Sequence, residues 1–456
     1  MTKPNIILMT DSYKYSHSVQ YPSGTRFVES YVEARGDSDV EIVMFGCQAY
    51  IKEYLKGVVL EEWMIDEAAP ILEAHGIDFM EKEWRQLLKD HKGRMPIRID
   101  ALPDGTVASK GVALAIMTNT DKNYFWLVSH LETSFLRAIW YPTTVATRSR
   151  EFKKIIMSGL VESSDDPEGQ IDFKLHDFGA RGSTSKEGAE LGGMAHLVNF
   201  KGTDTIEGLL AAKRYYTGDA DAYSIAASEH STMTSWGREN ELAAYENMLD
   251  KYPTGIFACV SDSWDIGNAT NLWGTVLKDR VMARDGTVVI RPDSGDPVIT
   301  PVTVVMQLLD TFGYTVNSKG FKVLPPQIRV IQGDGLNKKT LNMLVDALIS
   351  RKISIDNIAF GMGGGLLQDV NRDTYSFAMK CSAAEINKEW VKVYKDPIGG
   401  GKTSLRGRLD TVKSNDKFIT VQKYSVQVPS AFDMVFLNGR MVYNYNFTEV
   451  RKRAKL

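Results

Sequence analysis

Between residues 172 and 365 the apolar positions fall in short runs, and each run stops abruptly in a loop rich in Gly, Asp, Ser or His. The runs are DFKLHDFG (172–179), AHLVNFKGTD (195–204), YSIAASEH (223–230), IFACVSDS (256–263), TVVIRPDSG (287–295), IRVIQGDG (328–335) and NIAFGMGGG (357–365). Between them, IEGLLAAKRYY (206–216), TVVMQLLDTFG (303–313) and LNMLVDALISR (341–351) carry apolar residues at three- and four-residue spacing, which predicts helices. Strand, polar loop and helix repeat about seven times, a rhythm that predicts parallel strands joined by helices. Runs such as FACV and RVI are apolar at successive positions, as in strands buried on both faces. Right-handed crossovers gather the C-terminal ends of such strands on one face.

The flanks are patterned differently. KPNIILMT, RFVESYVEAR and RMPIRIDALP read as short strands before residue 150, and WMIDEAAPILEAHG as a helix. After residue 382, VKVYKDP, KFITVQ and FDMVFLNGRMVYNYNF read as strands, the last with an Asn-Gly hairpin signal. The expected fold class is therefore α/β: an irregular α/β barrel with about seven parallel strands over 151–382, plus a second β-rich α+β domain built from 1–150 together with 383–456. A doubly wound open sheet is the alternative for the middle segment.

Composition narrows the function classes. The length of 456 residues accommodates two or three domains. A net charge of −3 implies no general polyanion-binding surface, so nucleic acid is not an expected partner. Cys47, Cys259 and Cys381 lie far apart without a C-x-x-C pair, which points to a reducing compartment, the cytoplasm. The apolar run before Asp11 is four residues long, too short for a signal peptide or a membrane span. The final AKL resembles a peroxisomal address, but EVRKRAKL reads better as a basic, solvated helix end.

The strand ends carry the candidate chemistry. They offer His176, Asp177, Arg181, Asp204, Glu229, His230, Ser261, Asp262, Asp265, Arg291, Asp293, Asp334 and the Gly run 361–365. GMGGGLLQDVNRD (361–373) suits an anion, because Gly lets backbone N–H groups approach it and a helix N-terminus adds favourable field. Arg372 follows as a clamp. In RPDSGDP (291–297), Arg291 suits bidentate phosphate binding and Asp293 a ribose hydroxyl or Mg²⁺; an internal Arg–Asp pair closing the turn is the plainer alternative. Gly333 and Asp334 suit a vicinal diol or a simple Asp-Gly turn. Phe178 offers a stacking face or a core residue, and Asp204 a ligand contact or a helix N-cap. DPIGGGKTS (396–404) ends like a P-loop, but Asp396 stands where the first Gly belongs and no apolar strand precedes it. Lys402 there remains a candidate phosphate contact. Together these residues imply an enzyme that handles a phosphorylated sugar.

In this order, TDSYK (10–14), HDFGARG, HLVNFKGTDT, AASEHST, SDSWDI, IRPDSGDP, LPPQIRVIQGDG, IAFGMGGGLLQ and FAMKCS (377–382) resemble the nicotinamide phosphoribosyltransferases, a family of type II phosphoribosyltransferases. The resemblance runs from near residue 5 to the C-terminus. It implies a homodimer with shared active sites, and NAD salvage from nicotinamide and 5-phosphoribosyl 1-diphosphate. Mg²⁺ is implied as carried mainly by the diphosphate, and ATP as a stimulating co-substrate. By the same resemblance, Phe178 and the partner's Tyr13 sandwich the nicotinamide ring, with Arg181 beside it and Asp204, Ser224 and Ser261 at the carboxamide. Arg291 and Asp293 hold diphosphate and ribose, Gly333 and Asp334 the ribose, and Gly363, Gly364 and Arg372 the 5-phosphate. Arg35 and Lys380 add charge from the partner subunit, and His230 is the histidine that ATP phosphorylates. Nicotinate phosphoribosyltransfer and a catalytically silent binding protein on the same scaffold are the competing functions; Asp204 disfavours the first and the intact charged set the second.

Overall fold

The protein is described by a computed structural model that covers residues 4–36, 39–218, 220–398 and 404–456. Its chain forms two compact units, Met1–Thr147 with Ala212–Ala220 and Val370–Lys455, and Arg148–Ala211 with Asp221–Asp369.

The second unit contains a sheet of seven strands: β1 (Leu175–Asp177), β2 (Gly202–Thr203), β3 (Ala226–Ala227), β4 (Thr254–Val260), β5 (Asp285–Arg291), β6 (Ile328–Gln332) and β7 (Ile358–Met362). Every neighbouring pair is parallel, and the spatial order β2-β1-β7-β6-β5-β4-β3 is the chain order read around a ring. An isolated parallel bridge between Gly202 and Tyr223, just ahead of β3, closes that ring. Helices such as Lys186–His196, Ile299–Phe312 and Lys338–Ile349 form the crossovers. Inside, Ala258, Val289 and Ile331 make an apolar layer with Phe178, Ile225 and Ala359 packed on it. Side chains alternate along a strand, so these positions define the inward face of β4, β5 and β6.

Two expected strands are shorter than their apolar runs. In AHLVNFKGTD, Ala195 and His196 end the helix Lys186–His196, a turn follows, and only Gly202–Thr203 is strand. His196 is buried there, bonded to Ser149 Oγ and the Gly202 carbonyl, which explains a polar residue inside the run. In YSIAASEH the strand is only Ala226–Ala227, paired with Phe257 and Ala258, while Tyr223 makes the isolated bridge to Gly202.

The first unit is built on an antiparallel sheet of seven strands, in the order Glu389–Lys392, Phe377–Ile386, Thr25–Ala34, Ala113–Asn119, Ile97–Ala101, Asp433–Leu437 and Arg440–Met441. The Asn-Gly signal marks a real hairpin: Asn438 and Gly439 both have positive φ, as a type I′ turn requires. KPNIILMT is not a strand. Its described part holds the 3-10 turn Ile6–Leu8, because the Asn5 side chain caps Ile7 N–H and Tyr15 donates its hydroxyl to the Ile7 carbonyl. The boundary expected at 382/383 falls instead at 369/370. Phe377–Ile386 pairs along its length with Thr25–Ala34, so a break at 382 would cut a strand of this sheet. Among the described residues no helix is long and apolar enough to cross a membrane.

The parallel pair β4–β5 begins at a close backbone contact. Gly286 has φ +150°, and a Cβ there would lie 2.0 Å from the Gly255 carbonyl oxygen. Gly286→Ala is expected to lower the unfolding free energy by at least ~1–3 kcal/mol through strain and displaced backbone. Gly313→Ala has a similar conformational penalty with no neighbour within 4 Å, and should cost less. Equal urea midpoints for the two variants would refute the close-contact account.

Candidate active site

Sequential parallel strands place all seven outgoing loops at one rim. A cavity of about 600 Å³ opens there. It is lined by Phe178 and Arg181 from the loop after β1, Asp204 after β2, Glu229 and His230 after β3, Arg291 and Asp293 at the end of β5, Gly333 after β6 and Gly363 after β7.

The floor is aromatic. Phe178 N–H donates to the Met362 carbonyl at 2.8 Å, fixing the ring over the apolar layer inside the barrel. Gly361 occupies an inward position of β7 because the ring lies against it; a Cβ there would sit 2.1 Å from Phe178 Cε2. Gly333 also borders the ring, its Cβ position 3.4 Å from the same carbon. The Arg291 guanidinium stands 5.6 Å from the ring centroid. A cation and bare backbone therefore both border the aromatic ring.

The wall is a hydrogen-bonded charge chain. Arg291 donates through Nε and Nη2 to Asp293 Oδ1, at 3.2 and 2.8 Å. His230 lies between two carboxylates, with Nε2 3.2 Å from Asp262 Oδ1 and Nδ1 3.8 Å from Asp293 Oδ2. Ser294 donates its hydroxyl to Asp262 Oδ2. The Asp262 side chain is 4% exposed and that of His230 46%, so a buried carboxylate holds an accessible imidazole. The Arg–Asp pair that could have merely closed the turn exists, and it also lines the cavity. Asp296 serves the following helix instead. Its Oδ1 accepts the N–H groups of Val298 and Ile299, at the start of Ile299–Phe312.

Asp204 closes the other side. The Ser224 hydroxyl donates to Asp204 Oδ1. Ser224 itself lines a second cavity of about 450 Å³, whose walls include Ile256, Thr287 and Arg329 from the strand beginnings. Beneath Asp204, Asp177 is fully buried and its carbonyl accepts the Asp204 N–H at 2.9 Å. Burial pushes the Asp177 carboxyl up to about 6, against the influence of the nearby Thr205 hydroxyl and the Gly179 N–H and with the Asp204 charge adding to the rise.

Some expected contacts are placed elsewhere. Ser261 is fully buried; its hydroxyl donates to the Cys259 carbonyl at 3.1 Å and accepts the Trp273 indole N–H at 3.2 Å, so it does not line the cavity. The two-residue period gives the reason, since Ala258 and Val260 take the inward positions of β4 and Ser261 the opposite face. Asp334 is exposed on the loop beside the cavity and is not part of its lining. Gly364 opens the helix that follows the Gly run, which is only four residues long, Gly364–Leu367. Asp262, named among the strand ends but given no role there, is the buried partner of His230.

Tyr13, Arg35, Arg372 and Lys380 belong to the other unit. Tyr13 is 58% exposed. Arg35 donates to the Ser376 carbonyl, Arg372 pairs with Asp373 at 3.4 Å, and Lys380 pairs with the buried Glu33 at 3.3 Å. Lys402 lies outside the described residues.

Comparison with known proteins extends the geometry. Residues 173–426 match the nicotinate phosphoribosyltransferase (NAPRTase) family, and residues 5–99 match the nicotinamide phosphoribosyltransferase N-terminal domain. The chain is 46% identical to a nicotinamide phosphoribosyltransferase of Xanthomonas campestris pv. campestris, over 99% of this chain and 98% of that one. It is 30% identical to one of Acinetobacter baylyi, over 97% and 95%. In structure it is similar to a nicotinate-nucleotide pyrophosphorylase from Pyrococcus furiosus (TM-score 0.63, 14% identity, 100% and 96% covered). It is similar too to human nicotinic acid phosphoribosyltransferase (TM-score 0.58, 14% identity, 98% and 93% covered). These two likenesses concern the fold. A seven-stranded barrel with its charged rim, joined to sequence identity along nearly the whole chain, establishes that this chain belongs to the nicotinate phosphoribosyltransferase family, together with the nicotinamide phosphoribosyltransferases, pentosyltransferases of NAD salvage.

Proposed function

We propose that the chain transfers the phosphoribosyl group of 5-phosphoribosyl 1-diphosphate to nicotinamide, giving nicotinamide mononucleotide and diphosphate. The observation that carries this reading is the shared cavity of Phe178, Arg181 and Asp204 with Arg291, Asp293, Gly333 and Gly363: an aromatic shelf with an amide reader faces an anion-binding wall. Breaking the C1–oxygen bond builds positive charge on the ribose and negative charge on the departing diphosphate. A preorganised guanidinium beside that path stabilises the second. The pyridine nitrogen brings its own lone pair, so the site needs to orient the ring more than to deprotonate it.

Mg²⁺ would enter on the diphosphate, with Asp293 as an adjacent carboxylate, and would neutralise charge on the leaving group. Tyr13, Arg35, Arg372 and Lys380 are assigned to complete the site from a second copy of the chain, and the exposed Tyr13 ring supports that assignment. The three cysteines are free, which supports a reducing, cytoplasmic setting.

His230 is assigned as the residue that ATP phosphorylates. With Asp262 accepting from Nε2–H, the lone pair is left on Nδ1, on the Asp293 side. That nitrogen attacks the γ-phosphorus, the bond to the bridging oxygen breaks and ADP departs. Under γ-labelled ATP the wild type is expected to form an acid-labile phosphoprotein. His230→Ala should form none, and Asp262→Ala at least ~10-fold less per unit time. Undiminished labelling of His230→Ala would exclude the assignment.

Nicotinate is the competing substrate. Ser224 occupies one oxygen of Asp204, leaving the carboxylate's remaining acceptor capacity for an amide N–H. A carboxylate ligand ~4 Å away would instead be repelled by about 4 kcal/mol at an effective dielectric of 20, roughly a thousandfold in rate. Asp204→Asn is therefore expected to shift the ratio of kcat/KM values towards nicotinate, with a thousandfold as the ceiling. An unchanged ratio would sink this account of specificity. The decisive assay is formation of nicotinamide mononucleotide by the purified protein, with and without ATP; substrate binding without product would favour a silent scaffold.

A further inference from the structure

Asp177 is a buried, ionisable residue for which the proposed chemistry has no use. It sits where three strand ends meet, paired with Thr203 of β2 and Met362 of β7. Its side-chain Oδ1 accepts the Gly179 N–H at 2.7 Å, two residues on. That bond closes an Asx turn with Phe178 at its apex. Its main-chain carbonyl accepts the Asp204 N–H at 2.9 Å. One residue thus touches the backbone on both sides of the ring-reading pair. Gly179 fits the turn tightly, for a Cβ there would lie 2.9 Å from Asp177 Oδ1 and 2.6 Å from Leu367 Cδ1.

We infer that Asp177 is the positioning residue that holds the Phe178 shelf and the Asp204 reader at their working separation, through its turn to Gly179; this rests on the nicotinamide reading of that pair. The second carboxyl oxygen supports a positional rather than an ionic role. Asp177 Oδ2 and the Thr205 hydroxyl are both buried and both without a hydrogen-bond partner. No cation stands among the groups acting on the carboxyl, which are Thr203, Thr205, Gly179 and Asp204. The bond to Gly179 asks only for a side-chain acceptor at that place, so an amide of the same shape can make the same turn. Asn keeps the acceptor for Gly179 and offers N–H towards Thr205.

Asp177→Ala is expected to raise KM for nicotinamide about tenfold or more, with KM for 5-phosphoribosyl 1-diphosphate within about twofold of wild type. Asp177→Asn should restore the nicotinamide KM to within about threefold. Asp177→Ser, which can make a weaker version of the turn, should lie between and replaces the Ala variant if that one does not fold. Equal rises in both KM values, or an Asn variant as impaired as the Ala variant, overturn the inference. Product formation by the wild type is scored first, since a wild type without product counts against the substrate reading alone. The positional claim is then read from hydrogen exchange at the Gly179 amide, expected about tenfold faster in the Ala or Ser variant and unchanged in the Asn variant. Unchanged exchange in the Ala or Ser variant overturns it whatever the activity.

Discussion

Thr203 donates its N–H to the Tyr223 carbonyl, and Tyr223 donates its own to the Lys201 carbonyl. These two bonds close the ring of strands in the catalytic unit. The strands they join are the shortest of the seven, two residues each at β2 and β3, so closure depends on very little backbone. Without it β2 and β3 would be the open edges of a curved sheet, with unpaired N–H and C=O groups. The residues that follow the bridge on either side are Asp204 and Ser224, and their hydrogen bond spans the seam. The group assigned to read the amide is thus built on the closure itself. A change that opens the seam would damage substrate choice as well as stability.

Charge balance at the rim follows from the same architecture. Arg291, Asp293, His230 and Asp262 come from the ends or loops of three strands, β3, β4 and β5, that are neighbours in the sheet. Two carboxylates beside one guanidinium and one imidazole make a cluster that becomes neutral when the imidazole is protonated. An anion bound there would add negative charge for which the cluster has no surplus of its own. Arg291 and His230 already face the carboxylates Asp293 and Asp262, and Arg181 is the further cation of the cavity lining.

Much of this was legible in the sequence because parallel strands advertise themselves twice, by consecutive apolar residues and by the polar loop that follows. Asp204, His230, Arg291, Asp293, Gly333 and Gly363 stand among the residues that the strand ends offered, and Phe178, which those ends left between stacking face and core, lines the same cavity. What failed did so for physical reasons. Ser261 was one position out of phase with the inward face of β4. AHLVNF is helix end and turn because His196 is satisfied by Ser149 and Gly202, partners far too specific for a propensity to foresee. The turn at Ile6–Leu8 depends on Asn5 and on the Tyr15 hydroxyl, and tertiary contacts of that kind outweigh a four-residue apolar run.

The Gly run 361–365 was legible as an anion-binding loop, yet the glycines nearest Phe178 have another reason to be there. Gly361 is glycine because the ring fills its Cβ position, and Gly179 because Leu367 and Asp177 fill its own. Gly363, whose Cβ would stand only 3.4 Å from the Phe178 carbonyl, is constrained more gently, and Gly364 meets nothing at all. Freedom to approach an anion therefore belongs to Gly363 and Gly364, while Gly179 and Gly361 serve the aromatic shelf. Bare backbone thus serves two ends at this rim: at Gly363 and Gly364 it leaves room for an anion, and at Gly179 and Gly361 it leaves room for the Phe178 shelf and its turn.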